Sequence, residues 1–326
     1  MNNMDFIQKL SEAFGVSGKE DEVRELILSE ISGVCDSVQV DSIGNIIAKK
    51  KGEGDKNILL TAPMDEVGFI ISSIKKGGGA FLGFEPVGKI RPQSVISEAV
   101  VVGDKKLSGV ISLKAVHLTT KADREKPAAL SDLFIDVGAD KKSDVEKSVM
   151  IGDYAGFKSR FTAIGESCLC NKAIGLRACC GILTELLKSD LKQNVTCVFT
   201  AQRQVGARGA KLNLDIDEAD YSCAIVLDTI ENSEIKPGCG AAVPLMVNET
   251  IPDRCLVQSI SGAGGKVKMV GKKAEDGDIG AVSIKGKGIV SAEIDLPVLN
   301  KNTSSEIVDK KDIKEVYDLI LKYINK

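Results

Sequence analysis

Hydrophobic and polar positions along the chain change rhythm twice. Phe6, Ile7, Leu10 and Phe14 recur at helical spacing and share one face, which predicts a helix over 4–14. Gly15 interrupts it. Ser17-x-x-Glu20 reads as a capping box opening a second helix, with Val23, Leu26, Ile27 and Ile31 turned inward. Short β-type runs follow at 36–40, 45–50 and 57–62. From 67 to 162 the rhythm shortens. VGFIISSI, AFLGF, SVISEAVVVG, LSGVISL and LFIDVGA alternate with Gly-rich turns and show little helical period, which predicts a small β-barrel or sandwich. From 163 onward, strands and helices alternate again. LRACCGILTELL is an apolar helix, and NVTCVFTAQ and CAIVLDT read as buried strands. Pro252 opens another helix, and Ile313, Val316, Tyr317, Ile320 and Ile324 form the stripe of a last one. Strands separated by helices predict an α/β sheet. The expected organisation is one α/β domain in two segments, 1–66 and 163–326, interrupted by a β-domain over 67–162. No internal repeat or low-complexity tract interrupts it.

Composition narrows the function. Lys plus Arg is 43 and Asp plus Glu is 46, a net charge of −3, without the basic excess of a nucleic-acid binder. Aromatic residues are 4% of the chain and Trp is absent, which argues against a stacking platform for bases or sugars. No apolar run approaches the ~18 residues of a membrane span, and the N-terminal stretch does not look like a targeting signal. The nine cysteines are odd in number and lack the spacing of a disulfide framework, so reduced thiols and a cytoplasmic protein are expected.

Several familiar site patterns fail. SGAGGKVK is not a phosphate loop, because its first required Gly falls on Ile260 and Val267 replaces the magnesium-binding hydroxyl. There is no dinucleotide fingerprint and no nucleophile elbow. His117, the single histidine, has no nucleophile context and is expected to be structural. Cys168-x-Cys170 and Cys179-Cys180 lack the two-residue spacer of zinc knuckles and read as small buried residues.

Four stretches do carry a signature: TAPMDEVGF (61–69), TAQRQVGARGA (200–210), IVLDT (225–229) and LPVLNKNTSSEIVD (296–309). In this order and spacing, with GVSGKEDEV, DSIGNIIAKKKG, HLTTKADREK and EDGDIGAVSIKGKGIV, the chain resembles the TET-type glutamyl and deblocking aminopeptidases. Some of these proteins also carry the names cellulase M or endoglucanase. The resemblance covers nearly the whole chain. It implies an α/β/α sandwich of the zinc-aminopeptidase type with a mixed central sheet, interrupted by a small β-barrel used for dimerisation. It also implies six dimers closing a hollow tetrahedral dodecamer. Finally, it implies two divalent metals, zinc or cobalt, that activate a water while a Glu takes its proton.

Carried over position by position, the implied ligands are mostly replaced. The first His is Pro63, the bridging Asp is Gly175, and the final His is Asn302. The Glu-Glu pair, catalytic base then ligand, is Arg203-Gln204. Asp228 is kept, as are Asp65, Glu66 and Arg177, and Asp278 matches an acid on the substrate side. Pro and Gly offer no donor, Asn and Gln only a neutral carbonyl, and a guanidinium cannot accept a proton. The expectation is therefore no catalytic residue, no cofactor and a vestigial pocket. Unpaired buried carboxylates are costly, so Arg203 is expected to pair with Asp228 or Asp65. A hard cation on Asp65, Asp228 and Asp278 is the less favoured alternative, with Glu293 and Asp295 nearby on the sequence.

Three functions compete at this point. One is an inactive homologue that assembles with itself, from dimer to dodecamer, or with an active paralogue. One is a weakly active metal-dependent aminopeptidase, or a glycoside hydrolase, with relocated site residues. One is a plain binding module for a peptide or metabolite. None involves nucleic acid or a membrane.

Overall fold

The computed structural model describes residues 4–76, 79–115, 117, 119–121, 126–212, 220–273 and 277–326. Its centre is an eight-stranded mixed sheet. The strands are β1 (Ser37–Val40), β2 (Ile46–Lys50), β3 (Asn57–Pro63), β12 (Asn194–Thr200), β13 (Cys223–Ile230), β14 (Ala241–Pro244), β15 (Val267–Val270) and β16 (Ser291–Pro297), in the order β1-β2-β12-β3-β13-β16-β14-β15. Strands β12, β3, β13 and β16 run parallel, so their carboxyl ends open on one edge. The chain steps from β3 to β12 on one side and then to β13 on the other. This is the switch point where α/β sheets form their crevices.

Helices α1 (Met4–Glu12), α2 (Asp21–Ile31), α3 (Ile174–Lys188), α4 (Arg254–Ser261) and α5 (Lys310–Ile324) pack on one face. Their apolar stripes meet Ile58, Leu60, Phe199, Ile225, Leu227, Ile294 and Leu296 from alternate strand positions. The opposite face carries Ile47, Leu59, Val198, Ala224 and Val226 under Ile279 and Val282. Because side chains alternate, Asp228, Glu293 and Asp295 project to this second face, away from α3.

The β-rich stretch forms a closed antiparallel barrel. Strands β4 (Gly68–Lys76), β5 (Ala80–Val87), β6 (Ala99–Val102), β7 (Leu107–Leu113), β8 (Leu133–Ala139) and β9 (Tyr154–Phe157) close in the order β4-β5-β8-β7-β6-β9. Phe69 centres its core, edge-on to Phe84 at 4.8 Å and to Phe157 at 5.7 Å. A three-stranded sheet of β10 (Thr162–Ile164), β11 (Cys168–Asn171) and β17 (Glu306–Asp309) follows. The α/β fold with a mixed sheet and a barrel is therefore the observed architecture.

Local expectations fare unevenly. The first helix ends at Glu12, and Phe14 leaves it to pack with Val16 and Val87 against the barrel wall. The capping box does not form. Helix α2 starts at Asp21 without a side-chain cap, because Glu20 Oε1 instead accepts from the Gly18 and Gln202 amides, both at 2.9 Å. Near Pro252, Asp253 is the residue that caps α4, accepting from the Leu256 amide at 2.8 Å. His117 is exposed.

Candidate functional site

The crevice at the carboxyl ends of β3, β12 and β13 gathers most of the singled-out residues. Pro63 closes β3, and Met64, Asp65 and Glu66 follow it. After β12 the chain turns sharply through Gln202, whose φ is 57°. Three side chains hold that turn by its amides. Asn45 Oδ1 accepts from Ala201 at 2.8 Å, Glu20 from Gln202 at 2.9 Å and Asp65 Oδ2 from Gln204 at 2.8 Å. Arg203 is thereby aimed into the sheet's second face. Its Nη2 donates to Asp228 Oδ2 at 2.7 Å, with both residues buried. The pairing expected from the sequence is present.

A second cation reaches the same carboxylate oxygen. Lys273 Nζ lies 3.2 Å from Asp228 Oδ2, 2.7 Å from Glu293 Oε1 and 2.8 Å from Asp295 Oδ1. The strand register explains why it is needed. Parallel pairing of β13 and β16 sets Asp228 directly opposite Asp295, and Glu293 lies two residues earlier on the same face. Like charges opposite one another in a sheet are destabilising without a counter-ion. Burial opposes ionisation of Asp228, yet Arg203 and Lys273 together hold its carboxyl well below the usual carboxylate range. Burial likewise works against the Lys273 ammonium, and Asp228, Asp295 and Glu293 keep it protonated. Glu293 is pushed up, by burial first and then by Asp295 and Asp228. Asp278, which accepts from Thr200 Oγ1, is pushed up to about 7 by burial, with Asp228 and Asp65 adding to the effect.

Glu66 and Arg177 belong to a separate cluster. Glu66 takes the Lys172 ammonium at 2.7 and 2.8 Å, and the Arg177 Nη2 lies 3.7 Å away. Lys172 spends its third donor on the Ala13 carbonyl at 2.6 Å, and Arg177 Nε donates to the Leu10 carbonyl at 3.0 Å. Gly175 sits at the start of α3, and its amide donates to Glu306 Oε2 at 2.8 Å. A Cβ at Gly175 would lie 2.6 Å from Thr229 Cγ2 and 2.7 Å from Val298 Cγ1, so those two side chains fill the place a side chain at 175 would need. Asn302, with φ of 62°, donates to the Lys89 carbonyl at 3.1 Å. Gln204, Thr229, Asn302 and Glu306 line a cavity of about 10 Å³, room for about one water.

Sequence reasoning missed Lys172, Lys273, Lys301 and Glu306. Lys301 donates to the Thr229 carbonyl at 2.7 Å. One signal was present: two acids, Glu293 and Asp295, inside an otherwise apolar strand require a buried cation from elsewhere.

Residues 44–319 match the family model for M42 glutamyl aminopeptidases. The chain belongs to the M42 aminopeptidase family. A putative aminopeptidase of Acetivibrio thermocellus is 32% identical, covering 98% of both chains. The crystal structure of a TET aminopeptidase from the marine sediment archaeon Thaumarchaeota archaeon SCGC AB-539-E09 superposes with a TM-score of 0.92 at 27% identity, covering 99% of this chain and 96% of that one. The TET1 peptidase of Pyrococcus horikoshii, which assembles into a tetrahedron or a large octahedral shell, gives 0.87 at 26% identity, with 99% of each chain covered.

Membership corrects the expectation of no cofactor. M42 aminopeptidases use divalent metals, and the match points to metal use. The residues of the Asp228 pocket do not fit a metal pair. Its carboxylate is occupied by a guanidinium and an ammonium, and Gly175 has no room for a bridging acid. Among the described residues, no group of three or more His, Cys, Asp or Glu is placed to hold a metal ion. No helix among them is long and apolar enough to cross a membrane.

Proposed function

We propose that this M42-family chain does not hydrolyse peptides at the Asp228 pocket and acts as an assembling homologue, structural or regulatory, of the active aminopeptidases. The observation that carries the reading is the pair of contacts from Arg203 and Lys273 to Asp228. Hydrolysis needs a group that accepts a proton from water, and general-base catalysis contributes roughly 10²–10⁴-fold. At the position the resemblance equates with the base stands Arg203, a permanent cation that cannot accept one. The degenerate ligand set, Pro63, Gly175, Gln204 and Asn302 with only Asp228 kept, supports the same reading.

Assembly rests on other surfaces. The segments 1–66 and 163–326 form the α/β domain in this reading, and 67–162 is the dimerisation domain. The shells built by the Pyrococcus horikoshii relative support a homo-oligomer, from dimer to dodecamer, with co-assembly on an active paralogue as its regulatory form. All nine cysteines are free, which supports a reducing, cytoplasmic setting.

The family's use of metals favours one rival, a metal-dependent aminopeptidase with relocated ligands. Aminoacyl-anilide hydrolysis with zinc or cobalt added, on the wild type and on Asp228→Ala, separates the two. The expected result is no turnover in the wild type above that of the variant. Metal-dependent turnover lost in Asp228→Ala would overturn the proposal. Size-exclusion chromatography with light scattering reads the assembly, and a monomer at micromolar concentration would refute that part.

A further inference from the structure

A second cavity, of about 250 Å³, lies in the seam between the α/β domain and the barrel. Phe14, Lys19 and Glu22 line it from the α/β side. The β6–β7 turn and the residues leading into β9 line it from the barrel. Phe14 and Tyr154, which belong to one apolar cluster, give it aromatic walls. One ion pair braces the seam. Lys106 Nζ lies 2.7 Å from Glu22 Oε1 and 2.8 Å from Oε2, and Oε2 also accepts from the Phe14 amide at 3.1 Å. Those two charges satisfy each other, but the remaining ones on the lining do not. Asp153 Oδ2 accepts from the Met150 amide at 2.8 Å, and no cation among the described residues pairs with Asp153. Lys19 Nζ is held loosely, 3.4 Å from Asp104 Oδ1 and 3.8 Å from Asp21 Oδ2, and all three side chains are exposed. Ion pairs of this kind add little to stability, so a ligand's own charges can displace them at small cost.

We propose that this cavity binds a free α-amino acid with an apolar side chain. Lys19 takes the carboxylate, Asp153 and Asp104 take the ammonium, and Phe14 and Tyr154 flank the side chain. A lining that offers both an available cation and an available anion matches a zwitterion, whereas a simple ion would leave one of them unanswered. At about 250 Å³ the cavity falls just below the roughly 300–1,000 Å³ of drug-sized sites, so it suits one amino acid and not a peptide. The cavity beside Gln204, at about 10 Å³, has no room for such a ligand. The inference goes beyond the reading of the Asp228 pocket and does not depend on it.

Saturation-transfer NMR with L-leucine, L-leucinol and isocaproate tests it. Leucinol lacks the carboxylate, isocaproate lacks the ammonium, and none of the three has a peptide bond to cleave. Leucine is expected to saturate, and each analogue to bind about tenfold more weakly, the lower end for a lost hydrogen bond to a charged group. Lys19→Met removes the ammonium and keeps an aliphatic stem. Asp153→Asn removes the charge and keeps an acceptor for the Met150 amide. Each variant is expected to weaken leucine by a similar factor. Lys19→Met should narrow the gap between leucine and leucinol, and Asp153→Asn the gap between leucine and isocaproate. No saturation by leucine up to about 10 mM would overturn the site. So would leucine binding that is unchanged in either variant, which would place the ligand elsewhere, or analogues that bind as tightly as leucine.

Discussion

Replacing Lys273 with Met removes one ammonium and strands three acids. Met matches the length of the aliphatic stem, so packing changes little and the loss is electrostatic. The wild-type ammonium touches Asp228 at 3.2 Å, Glu293 at 2.7 Å and Asp295 at 2.8 Å. Breaking a buried ion pair by removing one partner costs about 3–5 kcal/mol. Arg203 remains on Asp228, so the burden falls on Glu293 and Asp295, which relieve it by taking up protons. Both are already pushed up, by burial first, and losing the ammonium, the largest influence lowering them, pushes them further, so they take up protons as pH falls. The cost therefore depends on pH. At pH 8 the variant is expected to lose about 3–5 kcal/mol against the wild type, and at pH 6 about 1–2 kcal/mol less than that, since each extra proton bound by the folded variant is worth up to about 1.4 kcal/mol per pH unit. Urea unfolding at the two pH values, with the slope of the transition checked for constancy, measures both numbers. Adding Glu293→Gln and Asp295→Asn to Lys273→Met should recover most of the loss at pH 8, because no orphaned charge is left. If Lys273→Met at pH 8 stays within about 1 kcal/mol of wild type, below the cost of an uncompensated buried charge, the ammonium is not the counter-ion argued here.

Other consequences follow from the same contacts. Gly175→Ala gains about 1 kcal/mol of helix propensity but drives a methyl against Thr229 and Val298, so thermal unfolding should show net destabilisation of roughly 1–2 kcal/mol. Gly175→Asp should be worse, and restoring that acid alone should not restore anilide turnover. Glu306 is pushed up to about 7 by burial, despite the amide of Gly175. A carboxyl with a raised folded pKa binds more protons folded than unfolded, so it makes stability fall as pH climbs from about 4.5 to about 7. Glu306→Gln should flatten that fall by up to about 3 kcal/mol, and parallel wild-type and variant stability curves would contradict the assignment. Burial pushes the Cys180 thiol up to about 12, so mass-resolved alkylation at pH 7.5 should modify exposed Cys255 and leave Cys180 unmodified in the native protein.

The sequence made the elements legible where burial is periodic. The stripe Ile313, Val316, Tyr317, Ile320 and Ile324 is helix α5, and the alternation of short β runs with Gly turns is the barrel. It failed where a side chain had a choice of partners. Glu20 looked like half of a capping box, yet the Gln202 amide, 182 residues away, competes for it and wins. Phe14 kept helical spacing with Leu10, but Val16 and Val87 of the barrel interface claim it. The pocket was half legible for a related reason. Arg203 adjoins an identifiable motif, so its pairing with Asp228 could be reasoned from charge. Lys273 lies in a stretch with no motif, and only strand register brings it between three acids.

That register also bears on how the pocket could change. Asp228 and Asp295 face each other because β13 and β16 pair in parallel, and sliding either strand by one residue would turn every core side chain to the wrong face. The acids are therefore fixed by the fold, and the surroundings must supply positive charge between them. Arg203 comes from the turn after β12 and Lys273 from beyond β15, so two distant segments meet one requirement. Reversing either cation alone leaves buried carboxylates unbalanced, and an acid at Gly175 has no space. No single substitution relieves all three constraints. Moving this pocket toward a different chemistry requires coordinated changes in segments that share no local sequence signal, which is why the Arg203–Asp228–Lys273 cluster behaves as one unit and should be tested as one.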